Sequence, residues 1–181
     1  MRRPRAWSIA NRVMNVPPSP CPLREYQDGE NRMRTLAIDL GSRRVGLAMS
    51  DEGGRFATPI EVLEVSDPLH AISPVMAIIA KEQVQRIVLG LPLNMDDTLG
   101  PAAKQVIDWA KTLSTQCHVP IVFVDERLSS FAAEQQLNDR RRAGEKLTRG
   151  RKKQQLGAVA AAGFLQEFLD GKLAAIKVSM L

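Results

Sequence analysis

Aromatic side chains make up only 4% of this 181-residue chain. That scarcity leaves the core to Leu, Ile, Val and Ala and argues against a surface built of base-stacking platforms. The two cysteines, Cys21 and Cys117, stand far apart in no metal-ligand spacing, so no disulfide framework is implied and a reducing cytoplasm fits. The only histidines, His70 and His118, read as ordinary loop residues, and no Ser-His pairing for nucleophilic catalysis is evident. No apolar run approaches the roughly 18 to 20 residues that a membrane span needs, so nothing ties the chain to a bilayer.

What is present is a mixture typical of a globular protein, 44% hydrophobic and 25% charged, with a formal charge of +5 that permits an acidic partner. Residues 1–32 carry Pro4 and four prolines from Pro17 to Pro22 with scattered arginines and no periodicity. They read as a disordered extension, or as a mis-assigned start ahead of Met33, with a basic nucleic-acid-binding arm as the functional alternative. One domain is expected over residues 33–170, followed by an apolar, basic tail over 171–181 that no pattern assigns.

The first ordered stretch is Thr35-Leu36-Ala37-Ile38-Asp39, an apolar strand ending on a carboxylate. A turn with Gly41, Arg43 and Arg44 leads into a second apolar strand up to Ser50, and residues 58–65 alternate apolar and polar as a half-exposed strand does. Residues 72–83 have helical spacing, and 86–92 form an apolar run ending at Pro92, the mark of a buried strand. The pattern repeats with a helix over 101–113, a buried strand over 119–124, a helix from about Ser130 and an alanine-rich amphipathic helix over 156–169. Three meandering strands followed by helix-linked parallel ones predict an α/β fold: a five-stranded mixed sheet with helices on both faces.

Parallel strands finish on the same side of such a sheet, so Asp39 and the pair Asp125-Glu126, all at strand ends, can face one another. A carboxylate there costs several kcal/mol unless a metal, another cation or backbone N–H groups hold it. Carboxylates a few Å apart repel unless a cation lies between them, and Mg²⁺ favours such all-oxygen sites while keeping waters and substrate phosphates as its other ligands. The chemistry served by such a site is phosphodiester hydrolysis, with ions typically about 3.5 to 4 Å apart. Between residues 140 and 153 the chain carries Arg140, Arg141, Arg142, Lys146, Arg149, Arg151, Lys152 and Lys153 against Glu145 alone. Beside two strand-end acids this run reads as a phosphate-gripping loop. Arg43 and Arg44 either grip a phosphate or form surface ion pairs.

Three stretches together carry a family resemblance: Asp39-Leu40-Gly41-Ser42-Arg43-Arg44-Val45-Gly46-Leu47-Ala48, then Val88-Leu89-Gly90-Leu91-Pro92-Leu93-Asn94-Met95-Asp96, then Asp125-Glu126-Arg127-Leu128-Ser129. In this order and spacing they resemble the signatures of the YqgF family, also called RuvX, of pre-16S rRNA nucleases or Holliday-junction resolvases. The resemblance covers residues 33–170. It implies a ribonuclease H-like fold and a cytoplasmic nuclease, dependent on Mg²⁺ or Mn²⁺, that processes the 5′ end of pre-16S rRNA. It also implies Asp39 and Glu126 as metal ligands and catalytic acids, helped by Asp125 or Asp96. Arg43, Arg44, Asn94, Arg127 and the basic run are the expected substrate contacts, with Arg127 orienting Glu126 or touching the nucleic-acid backbone. Expected partners are pre-rRNA or branched DNA and ribosomal particles, with the protein a monomer or homodimer.

One position departs from the family. Its last helix begins with a third acid, and setting Ala161, Phe164, Leu165 and Gln166 on that pattern places Gly157 where the acid belongs. Glycine supplies no ligand, so a second metal is held by fewer charges and Mg²⁺ binding weakens. Two function classes follow: a metal-dependent nuclease, and a nucleic-acid- or ribosome-binding module of the same fold with most of its catalysis lost.

Overall fold

The structure, a computed structural model, describes residues 33–96, 98–126 and 149–176, with the backbone alone for 149–155. Five strands form one sheet: β1 (Thr35–Leu40), β2 (Arg44–Ser50), β3 (Ala57–Glu64), β4 (Arg86–Leu91) and β5 (Ile121–Asp125). Their spatial order is β3-β2-β1-β4-β5. Strands β1, β2 and β3 meander antiparallel, whereas β4 and β5 join parallel to β1 and to each other. This is the mixed sheet that the sequence predicts. The apolar runs explain the arrangement, since β4 is buried along its length and its stretch from Ile87 to Leu91 can be covered by helices on both faces.

Helices α1 (Ile72–Lys81) and α2 (Pro101–Ser114) cover one face, and α3 (Arg149–Leu169) covers the other. Strand alternation assigns the faces. Leu36, Ile38, Leu89 and Phe123 join the α1/α2 core, while Ala37, Ala48, Val88, Val122 and Val124 pack with Ala161, Phe164 and Leu165 of α3. Gln166 pins α3 to the sheet edge: its Oε1 accepts from the Ala57 N–H at 2.9 Å and its Nε2 donates to the Arg55 carbonyl at 2.9 Å. Trp109 is buried on α2 and donates its indole N–H to the Pro68 carbonyl at 2.9 Å.

Several boundaries differ from the sequence reading. A 3-10 turn, Pro68–Ala71, precedes α1, capped by Asp67, whose Oδ1 accepts from the Leu69 N–H. α1 ends at Lys81 rather than 83, and Gln83 then takes φ 52°, which turns the chain into β4. α3 starts seven residues before the expected 156, because Arg, Lys and Gln are good helix formers and extend it backwards. Arg149, Arg151, Lys152 and Lys153 therefore belong to its first turns rather than to a loop. The unassigned tail returns to the sheet: the Ile176 N–H donates to the Phe123 carbonyl at 2.8 Å, along the outer edge of β5. The expected extension over 1–32 and helix from Ser130 lie outside the described residues.

Candidate active site

Asp39 shares the parity of Ala37 on β1, so its carboxylate lies on the α3 face of the sheet. Across the strands its neighbours on that face are glycines. Gly46 of β2 is its register partner, and Gly90 of β4 follows the Ile38–Leu89 pair. Each glycine has a group seated on it. A Cβ at residue 90 would stand 2.5 Å from Oε2 and 3.3 Å from Cβ of Glu126, so the Glu126 side chain lies directly on the β4 backbone. On the other side, a Cβ at residue 46 would stand 2.7 Å from the Ala158 nitrogen and overlap the Gly157 carbonyl group. Backbone approach this close requires glycine.

Asp39 is thus walled by Glu126 on one side and by the backbone of α3 on the other. The electrostatics follow. Burial pushes the Asp39 carboxyl up to about 6. Burial, then the charges of Asp39 and Asp125, push Glu126 up to about 7. Two half-buried acids, one of them raised further by the charge of the other, form a place for positive charge. Asp125 shares the parity of Phe123, on the α1/α2 side of β5, and reaches Glu126 through its charge.

Gly157 of α3 faces Asp39. A Cβ there would lie 3.7 Å from Asp39 Oδ2 and 3.3 Å from Gly46 Cα, so a carboxylate at this position would reach the site. Among the described residues no group of three or more His, Cys, Asp or Glu side chains converges as metal ligands. The donor set fits one hard cation, which takes one or two carboxylates and completes its shell with water and phosphate. Among the described residues no third side chain joins the pair to hold a second.

The other expected site residues divide. Arg44 forms an exposed ion pair with Glu64, its register partner on β3, at 3.4 Å. Arg43 is exposed at the β1–β2 turn, its carbonyl accepting from the Val65 N–H. Asn94 donates its amide to Thr98 Oγ1 at 2.8 Å and its N–H to the Thr98 carbonyl, which organises the loop after β4. Asp96 accepts from the Thr98 hydroxyl at 2.6 Å within the same loop. Hydrogen bonding there holds its carboxyl below the usual range, opposite to the shifts of Asp39 and Glu126. Arg127, Arg140, Arg141 and Arg142 lie outside the described residues, as do the side chains of Arg149, Arg151, Lys152 and Lys153. Residue-type patterns alone did not single out Gly90, nor show what packs on Gly46. Their signal is in the sequence nonetheless, because Gly46 and Gly90 each share the face of a strand-end carboxylate in otherwise apolar stretches.

A family model described as RuvX, Holliday junction resolvase, matches residues 33–171. The chain belongs to the RuvX family. A relative from Chloroflexus aurantiacus, named "Putative pre-16S rRNA nuclease", is 40% identical over 137 residues, covering 76% of this chain and 86% of that one. A second of the same name, from Syntrophomonas wolfei, is 38% identical over 139 residues, covering 77% and 95%. Among solved structures, that of Thermus thermophilus RuvC superposes with a TM-score of 0.50 at 16% identity, over 80% of this chain and all of that one. This last likeness is one of fold and supports the ribonuclease H-like architecture. No helix among the described residues is long and apolar enough to cross a membrane.

Proposed function

We propose that this RuvX-family chain is a divalent-cation-dependent nuclease that hydrolyses phosphodiester bonds in structured nucleic acid, in 5′-end processing of pre-16S rRNA. The observation that carries the reading is the acid pair itself: Asp39 and Glu126 share one face at the ends of two strands flanking β4, each with its carboxyl pushed up. These two residues would hold the cation, Mg²⁺ or Mn²⁺, with Asp125 adding negative charge from behind. When bound, such an ion lowers the pKa of water and offsets charge building on the scissile phosphate. The chain's part is to hold the two acids half-buried on the sheet face that α3 covers, where their affinity for protons is raised. Cation affinity therefore rises as pH passes through 6 to 7. The basic run, with Arg43, Arg44 and Arg127, supplies phosphate contacts, and pre-rRNA within ribosomal particles in the cytoplasm is the setting.

A second reading, a binding module with weakened catalysis, is favoured by one observation: the position facing Asp39 from α3 carries glycine, not an acid. One experiment separates the two. Purified protein is offered a precursor of 16S rRNA and a four-way DNA junction, with Mg²⁺ or Mn²⁺ and with chelator. The nuclease reading expects metal-dependent cleavage that Asp39→Asn abolishes while leaving binding within about twofold. Equal cleavage by wild type and variant rejects it, and tight binding without cleavage selects the module.

A further inference from the structure

Strand β5 stands at the end of the sheet, with β4 as its neighbouring strand on one side. Its ladder with β4 stops at the pair Leu91 and Asp125, and Glu126 is the next residue. The Pro120 carbonyl accepts from the Ile87 N–H at 2.9 Å. By the alternation of a parallel ladder, residues 120, 122 and 124 turn their backbone groups to β4, and 121 and 123 turn theirs outward. A strand paired on one side is where a sheet opens most easily.

The chain meets that outer side again after α3. Gly171, at φ 72°, ends the helix, and the Lys172 N–H donates back to the Glu167 carbonyl at 2.8 Å. Leu173 and Ala175 then pack on the α3-side core, to which β5 contributes Val122 and Val124. One residue later Ile176 packs on the opposite core, to which β5 contributes Phe123. Between the two, the Ile176 N–H donates to the outward Phe123 carbonyl at 2.8 Å. Residues 173–176 therefore form a strap that crosses the edge of β5, fastened on both faces and at the backbone.

Three residues after Phe123 comes Glu126, whose seat is narrow. A Cβ at residue 90 would stand 2.5 Å from its Oε2 and 3.3 Å from its Cβ. Contact that close tolerates little sideways movement of the strand that carries it.

We propose that Ile176 is a positioning residue for the acid pair: by fastening the outer edge of β5 at Phe123 it keeps Glu126 seated on Gly90. The proposal rests on the reading of Asp39 and Glu126 as cation ligands, and it assigns to a residue outside the site the task of holding one of them in place. Ile176 acts through β5.

The test compares the full chain with Ile176→Val, which keeps the N–H and the branched side chain, and Ile176→Pro, which keeps an apolar ring and removes the N–H. Two quantities are read well below each protein's melting temperature, so that unfolding does not enter. In chelator, the nuclear Overhauser cross-peak between the Gly90 Hα and Glu126 Hβ protons reports the seat. Titration with Mn²⁺ alone, followed by paramagnetic resonance, reports the affinity. Wild type and Ile176→Val should share a strong cross-peak and one affinity. In Ile176→Pro the cross-peak should fade and the affinity fall by about tenfold, since affinity drops in proportion to the seated fraction. Should Ile176→Pro fail to fold, Ile176→Gly carries the test: it keeps the N–H, loses the contact with the core, and should lower both quantities by about threefold. A lower melting temperature with cross-peak and affinity unchanged is the mark of a merely structural strap and overturns the proposal, leaving the cation reading intact. A lost cross-peak with unchanged affinity overturns it as well. Wild-type protein that shows the cross-peak and binds no Mn²⁺ overturns the cation reading and the proposal together.

Discussion

The carboxylate of Glu126 lies on the backbone of Gly90, where a Cβ would stand 2.5 Å from its Oε2 and 3.1 Å from Cε1 of Phe164. One missing methyl group in β4 thus sets where the acid just after β5 sits relative to Asp39. Gly90→Ala should push Glu126 off the strand or force Phe164 to repack. A destabilisation of about 1–3 kcal/mol is expected from the overpacking. Cation affinity should fall at least tenfold, although both acids are still present. Thermal melts and titration with Mn²⁺ followed by its paramagnetic resonance signal measure the two effects. Normal affinity in Gly90→Ala would mean that Glu126 binds from some other position.

The pair also sets how stability depends on pH in chelated protein. Unfolded, the two carboxyls titrate near 3.8 and 4.5; folded, they titrate near 6 and 7. The native state therefore binds more protons across that window. Its advantage is full below about pH 4 and is lost as pH rises through the folded values. Metal-free protein should melt at progressively lower temperature from pH 5 to pH 8. Asp39→Asn removes one buried charge and relieves Glu126, so it should flatten that slope and raise stability at pH 8 by about 1–3 kcal/mol. Saturating Mg²⁺ should flatten the wild-type slope and leave the variant's unchanged. A wild-type melting profile level from pH 5 to 8 in chelator would show the acids to be better solvated than their burial implies.

Neutralising Arg140, Arg141 and Arg142 together should lower the slope of log binding constant against log salt by about two to three, if each meets a phosphate. Affinity should fall at low salt and converge with wild type at high salt. Filter binding across about 50 to 300 mM salt reads the slope directly. Parallel lines for the two proteins would take the basic run out of the interface.

The sheet was legible because its strands are apolar runs closed by breakers, and β1 with its terminal Asp39 is found within a residue by that pattern alone. β5 begins at Ile121 rather than 119, since Pro120 brings no N–H to a ladder and gives only its carbonyl, to Ile87. The return of Ile176 to β5 left no mark in the sequence: a single bridge needs one residue, and one residue has no period. That Asp39 and Glu126 meet at the strand ends was legible from the strand order, but the seats they take were not. Parity along the strands could have put Asp39 and Glu126 on one face and Asp125 on the other. The seats on Gly46 and Gly90 depend on how closely α3 and Glu126 approach the sheet, which is a property of packing.

Gly157 offers the sharpest test of what the site has lost. Its Cβ position lies 3.7 Å from Asp39 Oδ2, so Gly157→Asp brings a third carboxylate to the pair. It also lies 3.3 Å from Gly46 Cα, so any side chain must move α3 or β2 by a few tenths of an ångström. Gly157→Ala carries the same steric cost, set against about 1 kcal/mol of helix propensity, and should change stability little. The difference between the Asp and Ala variants is then the carboxylate alone. Without cation, three crowded acids should make Gly157→Asp the less stable of the two, increasingly so above pH 6. With Mg²⁺ the order should reverse, because a third oxygen ligand raises affinity, by at least tenfold on titration, and with it the stabilisation by mass action. Cleavage should rise in parallel if the missing ligand limits catalysis. Equal cation affinity in the Asp and Ala variants would show that α3 lies too close to β2 for an acid there to reach the ion, and that the loss at Gly157 is built into the packing of the helix.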